Sequence, residues 1–164
     1  TSPISRSSIA LGKMSAISLI SAMQSSLIIG IALAIGVNFP NLFMIAPIMA
    51  IVILFSLGFS GISVIVAATA KSQETFWGVI NFLGMPLFML SPALFPLELL
   101  PDWLATIAKF NPVTYTVLLV REMMTGVSEG GISAFLSIGV IAVFVLVMIG
   151  LASYVFTREV NKPF

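Results

Sequence analysis

The fold class that the sequence predicts is an all-α integral membrane protein, with four transmembrane helices, a pair of short outer re-entrant helices, and both termini cytoplasmic. Three observations predict it. Of 164 residues, 59% are hydrophobic and only 8% charged, with a mean hydropathy of +1.18, a composition that water does not hold as a monomer. Four windows lack Asp, Glu, Lys and Arg, and a helix needs about 20 such residues to cross a hydrocarbon core of about 30 Å. Between Asn81 and Arg121 the chain is apolar yet broken by prolines 86, 92, 96, 101 and 112. Broken helix survives at membrane depth only where its freed backbone groups face protein or water, so this segment is the first candidate for function.

Residues 1–13 carry Arg6 and Lys13 among serines and the apolar Ile4, Ile9 and Leu11. That pattern fits a short amphipathic helix at the membrane surface, begun near Pro3, and equally a charged flank that fixes topology. The first span is expected over 14–37. Within it Ser18, Ala22, Ser26, Gly30 and Ala34 recur every fourth residue, a stripe of small side chains that reads as helix contact rather than as a substrate path. Asn38-Phe39-Pro40-Asn41 reads as a turn. The second span covers 43–70, thinned by Ser56, Gly58, Ser60, Gly61 and Ser63.

The third span, 76–95, is shorter, with a kink expected at Pro86 and a stop near Pro92. Residues 96–131 form the unusual element: largely apolar, but split by Pro101 and Pro112 into pieces too short to cross. Asp102 to Phe110 and Thr114 to Thr125 read as short helices, with Asp102 and Thr114 as N-terminal signals. The alternative, a span over Leu87 to Ile107, buries Glu98 and Asp102 with no adjacent base and is costly. The last span is 132–156, closed by the charged tail at Arg158 to Lys162.

Charge sets the expected orientation, because cytoplasmic loops are enriched in Lys and Arg. With the N-terminus inside, Arg6, Lys13, Lys71, Arg158 and Lys162 lie inside; Lys109 and Arg121 lie outside with the acids Glu98, Asp102, Glu122 and Glu129.

Several function classes fall away. A net charge of +1 without a basic cluster gives no footprint for nucleic acid. Cysteine and histidine are absent, removing thiolate chemistry, imidazole bases and the commonest zinc ligands. No base is available to activate a serine, so catalytic, cofactor and metal residues are none, and an intramembrane enzyme lacks convergent groups. Only Gln24 and Asn81 are strongly polar within the windows, which weakens an ion-coupled secondary carrier. No GxxxxGK[ST] loop exists, and glycines 126, 130 and 131 supply no phosphate cradle. The energy source is expected on another chain. A membrane scaffold fits the composition but gives no reason for a proline-broken segment.

The run Asn81-Phe82, Pro86-Leu87-Phe88, Leu90-Ser91, Phe95-Pro96-Leu97, Leu100-Pro101, Trp103-Leu104, Asn111-Pro112 and Tyr115 to Arg121 resembles the type-2 exporter class of ABC transporter membrane subunits. The opening Thr1-Ser2-Pro3-Ile4-Ser5-Arg6 with Gly12-Lys13 resembles the same family's segment before its third span. The resemblance implies the last four of six spans, from a longer protein with two earlier ones. It implies a multi-pass permease in the cell (plasma) membrane that moves a drug-like, lipid-linked or polysaccharide substrate by alternating access. The partners it implies are an ABC ATPase subunit that holds ATP and Mg, a second permease copy (identical or a paralogue) and membrane lipids. Thr1, Pro3, Ile4, Arg6, Gly12 and Lys13 would couple to the ATPase. Pro96, Pro101, Trp103, Asn111, Pro112, Tyr115 and Arg121 would form an outer gate. There Arg121 and Glu122 read as a structural salt bridge or lipid-facing anchor rather than substrate chemistry.

Overall fold

A computed structural model describes residues 6–37 and 41–160, with side chains over 8–37 and 41–158. The regular structure of the described residues is all helical, with no strand. Six helices follow in order: α1 (Arg6–Ala34), α2 (Ile45–Thr69), α3 (Gln73–Met89), α4 (Asp102–Ala108), α5 (Pro112–Thr125) and α6 (Ala134–Val160). Two 3₁₀ turns, Leu42–Met44 and Leu97–Leu99, precede α2 and α4. Three stretches are long and apolar enough to cross a membrane: Ser8–Ala34, Leu42–Thr69 and Ala134–Arg158. Most of their surface is uncovered by the chain itself, as expected where lipid or partner subunits supply the neighbours.

α1 runs through Lys13 and Met14 without interruption, so the expected boundary between a surface segment at 1–13 and a span at 14–37 is not a break in the helix. Leu11, Gly12 and Lys13 simply continue its hydrogen-bond ladder. Four serines of α1, Ser18, Ser21, Ser25 and Ser26, donate to carbonyls of their own helix, Ser18 to Met14 at 2.9 Å and Ser25 to Ser21 at 2.8 Å, which removes the cost of a free hydroxyl in hydrocarbon.

The core of the bundle is the contact of α2 with α6, with α1 packed across both. Gly58 and Gly61 make it possible. A Cβ on Gly58 would lie 3.0 Å from both the Phe144 ring and the Val145 side chain, and one on Gly61 would lie 3.1 Å from the Met148 carbonyl oxygen. Small residues let helix backbones approach where lipid gives no hydrophobic drive. Phe55 stacks on Phe144 beside them, with ring centroids 5.7 Å apart. At one end Ala10, Met14, Val64 and Ala152 are buried together. There Lys13, Phe156 and Phe76 border one cavity and Lys71 an adjoining one, so this is the basic end. At the opposite end Asn41, Glu122, Gly126 and Ala134 converge. Asn41 accepts a hydrogen bond from the Phe43 amide at 2.9 Å and starts the turn into α2; the rest of the expected turn, 38–40, lies outside the described residues.

The every-fourth stripe on α1 does not stay on one face. Each step of four turns about 40° past a full circle on a 3.6-residue helix, so Ser18 is buried and Ala22 half-buried, while Ser26, Gly30 and Ala34 are exposed within this chain. The buried and half-buried seam instead follows Ala10, Met14, Ser18, Ser21, Ser25, Ile29 and Ala32, mixing steps of three and four.

α3 starts at Ser72, whose hydroxyl accepts from the Thr75 amide at 3.1 Å, and ends at Met89 with Pro86 inside it. Its 17 residues reach about 26 Å at 1.5 Å per residue, just short of a full hydrocarbon core. In the non-helical residues after it Ser91 and Pro92 are almost wholly buried, as irregular backbone in apolar surroundings requires. Because the helix stops at Met89 and residues 90–101 hold only one 3₁₀ turn, Leu87 to Ile107 is not a span.

Gly61→Leu should drive α2 and α6 apart and lower thermal stability in detergent, by about 1–3 kcal/mol as overpacked cores do. Gly139→Leu, where a Cβ meets nothing within 4 Å, should leave it unchanged; equal effects of the two would contradict the packing described.

Candidate functional site

α4 and α5 are bent by 89° at the break between them. A bend of this kind belongs either to a broken span or to a loop that returns. The flanks decide it: the Gly130 amide donates to Glu98 Oε1 at 2.9 Å, and a Cβ on Gly130 would touch Leu97 at 3.0 Å. The helix pair therefore begins at Leu97–Leu99 and ends at Gly130 in the same place, beside the start of α6, so the chain doubles back on itself. Between those points Tyr115, Leu119 and Met123 of α5 share a cluster with Ala134, Ile141 and Val145 of α6, so α5 lines the half of α6 away from the basic end.

Asn111 is the turning point. Its Oδ1 accepts from the Val113 amide at 3.0 Å, capping α5, and its Nδ2 donates to the Leu87 carbonyl at 2.6 Å. Pro112 follows at the first helical position, where its missing N–H costs nothing. Asn111, rather than the expected Thr114, is thus the cap; Thr114 lies one turn inside and is fully buried, its hydroxyl donating back to the Ala108 carbonyl at 2.7 Å. Tyr115 reaches across the same bend to the Lys109 carbonyl at 2.7 Å. Three side chains so reach carbonyls at the C-terminal ends of α3 and α4, of which that of Ala108 also accepts from the Asn111 amide at 3.1 Å.

Arg121 ties the other side. Its Nη1 meets Glu129 Oε2 at 2.7 Å and its Nη2 donates to the Pro92 carbonyl at 2.9 Å. The carboxylate partner is Glu129, not the adjacent Glu122, because side chains one residue apart on a helix diverge by about 100°. Gly126, with φ of 73°, closes α5 in the left-handed region, and Gly130 and Gly131 repeat that conformation at 69° and 63°. Glycine is the residue that takes such angles without strain.

The proposed gate residues therefore divide. Asn111, Tyr115 and Arg121 stitch the pair in place, and Pro96, Pro101 and Pro112 set where its turns begin. Trp103 makes no such tie and is 66% exposed, as Phe110 is to 86%. Sequence reasoning missed Glu98, Ser91, Glu129 and Gly130. The doublet Gly130-Gly131 was a legible turn signal; no local pattern pointed to Glu98 or Ser91, whose partners lie far along the chain or in the backbone. Of the proposed coupling residues, Thr1, Pro3 and Ile4 lie outside the described residues, Arg6 is described as helical backbone only, Gly12 is exposed, and Lys13 stands 5.6 Å over the Phe156 ring.

Residues 1–125, from the start of the chain to the end of α5, match the family model described as ABC-2 type transporter. The chain belongs to the ABC-2 type transporter family. It is 30% identical over 117 residues to a protein of Cyanophora paradoxa named as transport permease ycf38, covering 71% of this chain and 40% of that one. It is 31% identical over 101 residues to Nodulation protein J of Rhizobium leguminosarum bv. viciae, covering 62% of this chain and 37% of that protein. The same-named protein of Rhizobium leguminosarum bv. trifolii matches at 30% over 119 residues, 72% of this chain and 44% of its own length. This ABC-2 chain thus spans about two fifths of the length of the curated relatives it matches. No solved structure matches it. With its apolar helices, it is a multi-pass membrane protein.

Replacing Asn111 by Asp keeps the cap but removes the donor to Leu87, whereas Ala removes both. We expect Asn111→Ala to cost about 2–4 kcal/mol, from a lost cap plus an unpaired carbonyl, and Asn111→Asp about half of that, read from thermal unfolding in detergent. A double-mutant cycle of Arg121→Gln with Glu129→Gln should give a coupling of about 1 kcal/mol; zero coupling would contradict the pairing.

Proposed function

We propose that the chain is the C-terminal portion of a permease subunit in an ATP-driven ABC exporter that works by alternating access. The observation that carries this reading is the re-entrant α4–α5 pair, anchored at Asn111 and Arg121, at the end of the bundle opposite the basic residues. In this reading the basic end is cytoplasmic, by the excess of Lys13, Lys71 and Arg158 there, and the helix pair is the outer gate.

The packing supplies a mechanical route. α1 is 29 residues without a break, about 44 Å long, so a push at its N-terminal turns is carried as a rigid body. α1 bears on α2 and α6, α5 bears on the same two helices, and Asn111 ties the α4–α5 bend to α3. Closure of a pair of ATPase subunits, each holding ATP and Mg, would displace the basic end of α1 and shift the seat of the gate in the same stroke. A second permease copy would complete the path. The apolar walls suit an amphiphilic cargo, drug-like, lipid-linked or a lipid-carried polysaccharide.

The test is the full-length protein, co-expressed with the ATPase encoded beside it and reconstituted in lipid vesicles. The ATPase should co-purify, and transport should require ATP and vanish when the ATPase's phosphate-binding lysine is replaced. Arg6→Glu should lower ATP-driven transport by roughly an order of magnitude while the subunit still inserts, the scale of 0.5–2 kcal/mol of lost coupling. Transport driven by an ion gradient without ATP would contradict the proposal and favour a secondary carrier; assembly without transport would favour a scaffold.

A further inference from the structure

At the basic end, a cavity of about 350 Å³ opens between α1, α2, α3 and α6. Its walls are small and apolar: Ala16 on α1, with Ala67 and Ala68 on α2, leave the space that Phe76 of α3 and Phe156 of α6 close. Lys13 stands at its border, with the ammonium 5.6 Å above the Phe156 ring. A second cavity of about 410 Å³ shares Ala67 and Phe76 with the first and is bordered by Lys71. Among the described residues, the one ion pair is Arg121 with Glu129 at the other end of the bundle, so neither lysine has a carboxylate within 4.0 Å. The result is an apolar slot beside a more polar cavity at the basic surface, bordered by two lysines that have no described carboxylate within 4.0 Å, the exposed Glu74 following Lys71 by three residues.

We propose that this slot binds an anionic phospholipid from the leaflet at the basic end, with the headgroup phosphate at Lys13 and Lys71 and an acyl chain between Ala16, Ala67 and Phe76. The chemistry of the slot selects this occupant. Its volume falls in the range of small-molecule pockets, its interior offers almost nothing but hydrocarbon, and its charge lies only where a headgroup would. Basic pockets between membrane helices recognise anionic headgroups in this manner. A zwitterionic lipid would fill the slot equally well but leave the two ammonium groups uncompensated. The inference is independent of what the permease carries and is read without a transport measurement.

Trp77 is a built-in reporter: half-exposed, with its ring edge-on to Phe76 at 5.2 Å between centroids. In the full-length protein with its other tryptophans replaced by phenylalanine, brominated phosphatidylglycerol should quench Trp77 at a mole fraction roughly fivefold below that needed for brominated phosphatidylcholine, about the selectivity of one lysine near an anionic surface. The double substitution Lys13→Gln with Lys71→Gln should make the two lipids equal, and Ala67→Leu should do the same by filling the slot while both lysines remain. Equal quenching in the unsubstituted protein would overturn the proposal, as would a preference that survives either variant. Absence of quenching by both lipids would mean that a protein segment covers the slot, and would overturn it too.

Discussion

The 2.6 Å hydrogen bond from the Asn111 amide to the Leu87 carbonyl joins the two places where this membrane protein gives up helical backbone. In hydrocarbon every N–H and C=O needs a partner within the protein, and an unpaired one costs several kcal/mol. α3 stops at Met89, and the chain bends by 89° between α4 and α5. Asn111 serves both breaks, capping α5 with its oxygen and closing the end of α3 with its nitrogen. Ser91, Thr114, Tyr115 and Arg121 take up further carbonyls in the same region. No buried side-chain polar atom among the described residues is left unpaired.

This accounting explains why irregular structure is affordable in one half of the bundle only. Near the basic end α1, α2 and α6 are continuous and pack through glycine, alanine and serine, so their backbones need nothing from each other. Toward the other end the chain inserts a helix pair whose ends would be orphaned if it moved away from α3 and residues 90–96. The rigid half fits a transmitter of motion, and the side-chain-stitched half fits a gate with two discrete arrangements, since a few hydrogen bonds can be exchanged as a set.

Much of this was legible in the sequence. Charge-free windows of helical length located α2 and α6 to within a few residues, because solvent alone dictates that pattern, while α1 begins eight residues before its window. The prolines at 101 and 112 located α4 and α5, because the residue before proline resists helix. What was not legible depended on rotation and distance. The stripe from Ser18 to Ala34 turns away from its neighbours as the helix winds, which a list of small residues conceals. Glycines 58 and 61 were visible as thin places, but not that α6 fills them. Glu98 found Gly130 across 32 positions, and Arg121 found Glu129 rather than Glu122, pairings that only the returned chain creates.

A re-entrant α4–α5 pair enters and leaves the membrane on one side. The chain has no cysteine, so a single thiol can report its own side when placed in a full-length background freed of any others. Leu99→Cys, Val127→Cys and Ser72→Cys, each in intact cells, would be challenged with a thiol reagent that does not cross the membrane. The account predicts that Leu99→Cys and Val127→Cys are both modified from one side and Ser72→Cys only from the other. Modification of Leu99→Cys and Val127→Cys from opposite sides would make α4 and α5 a broken span, and would contradict it.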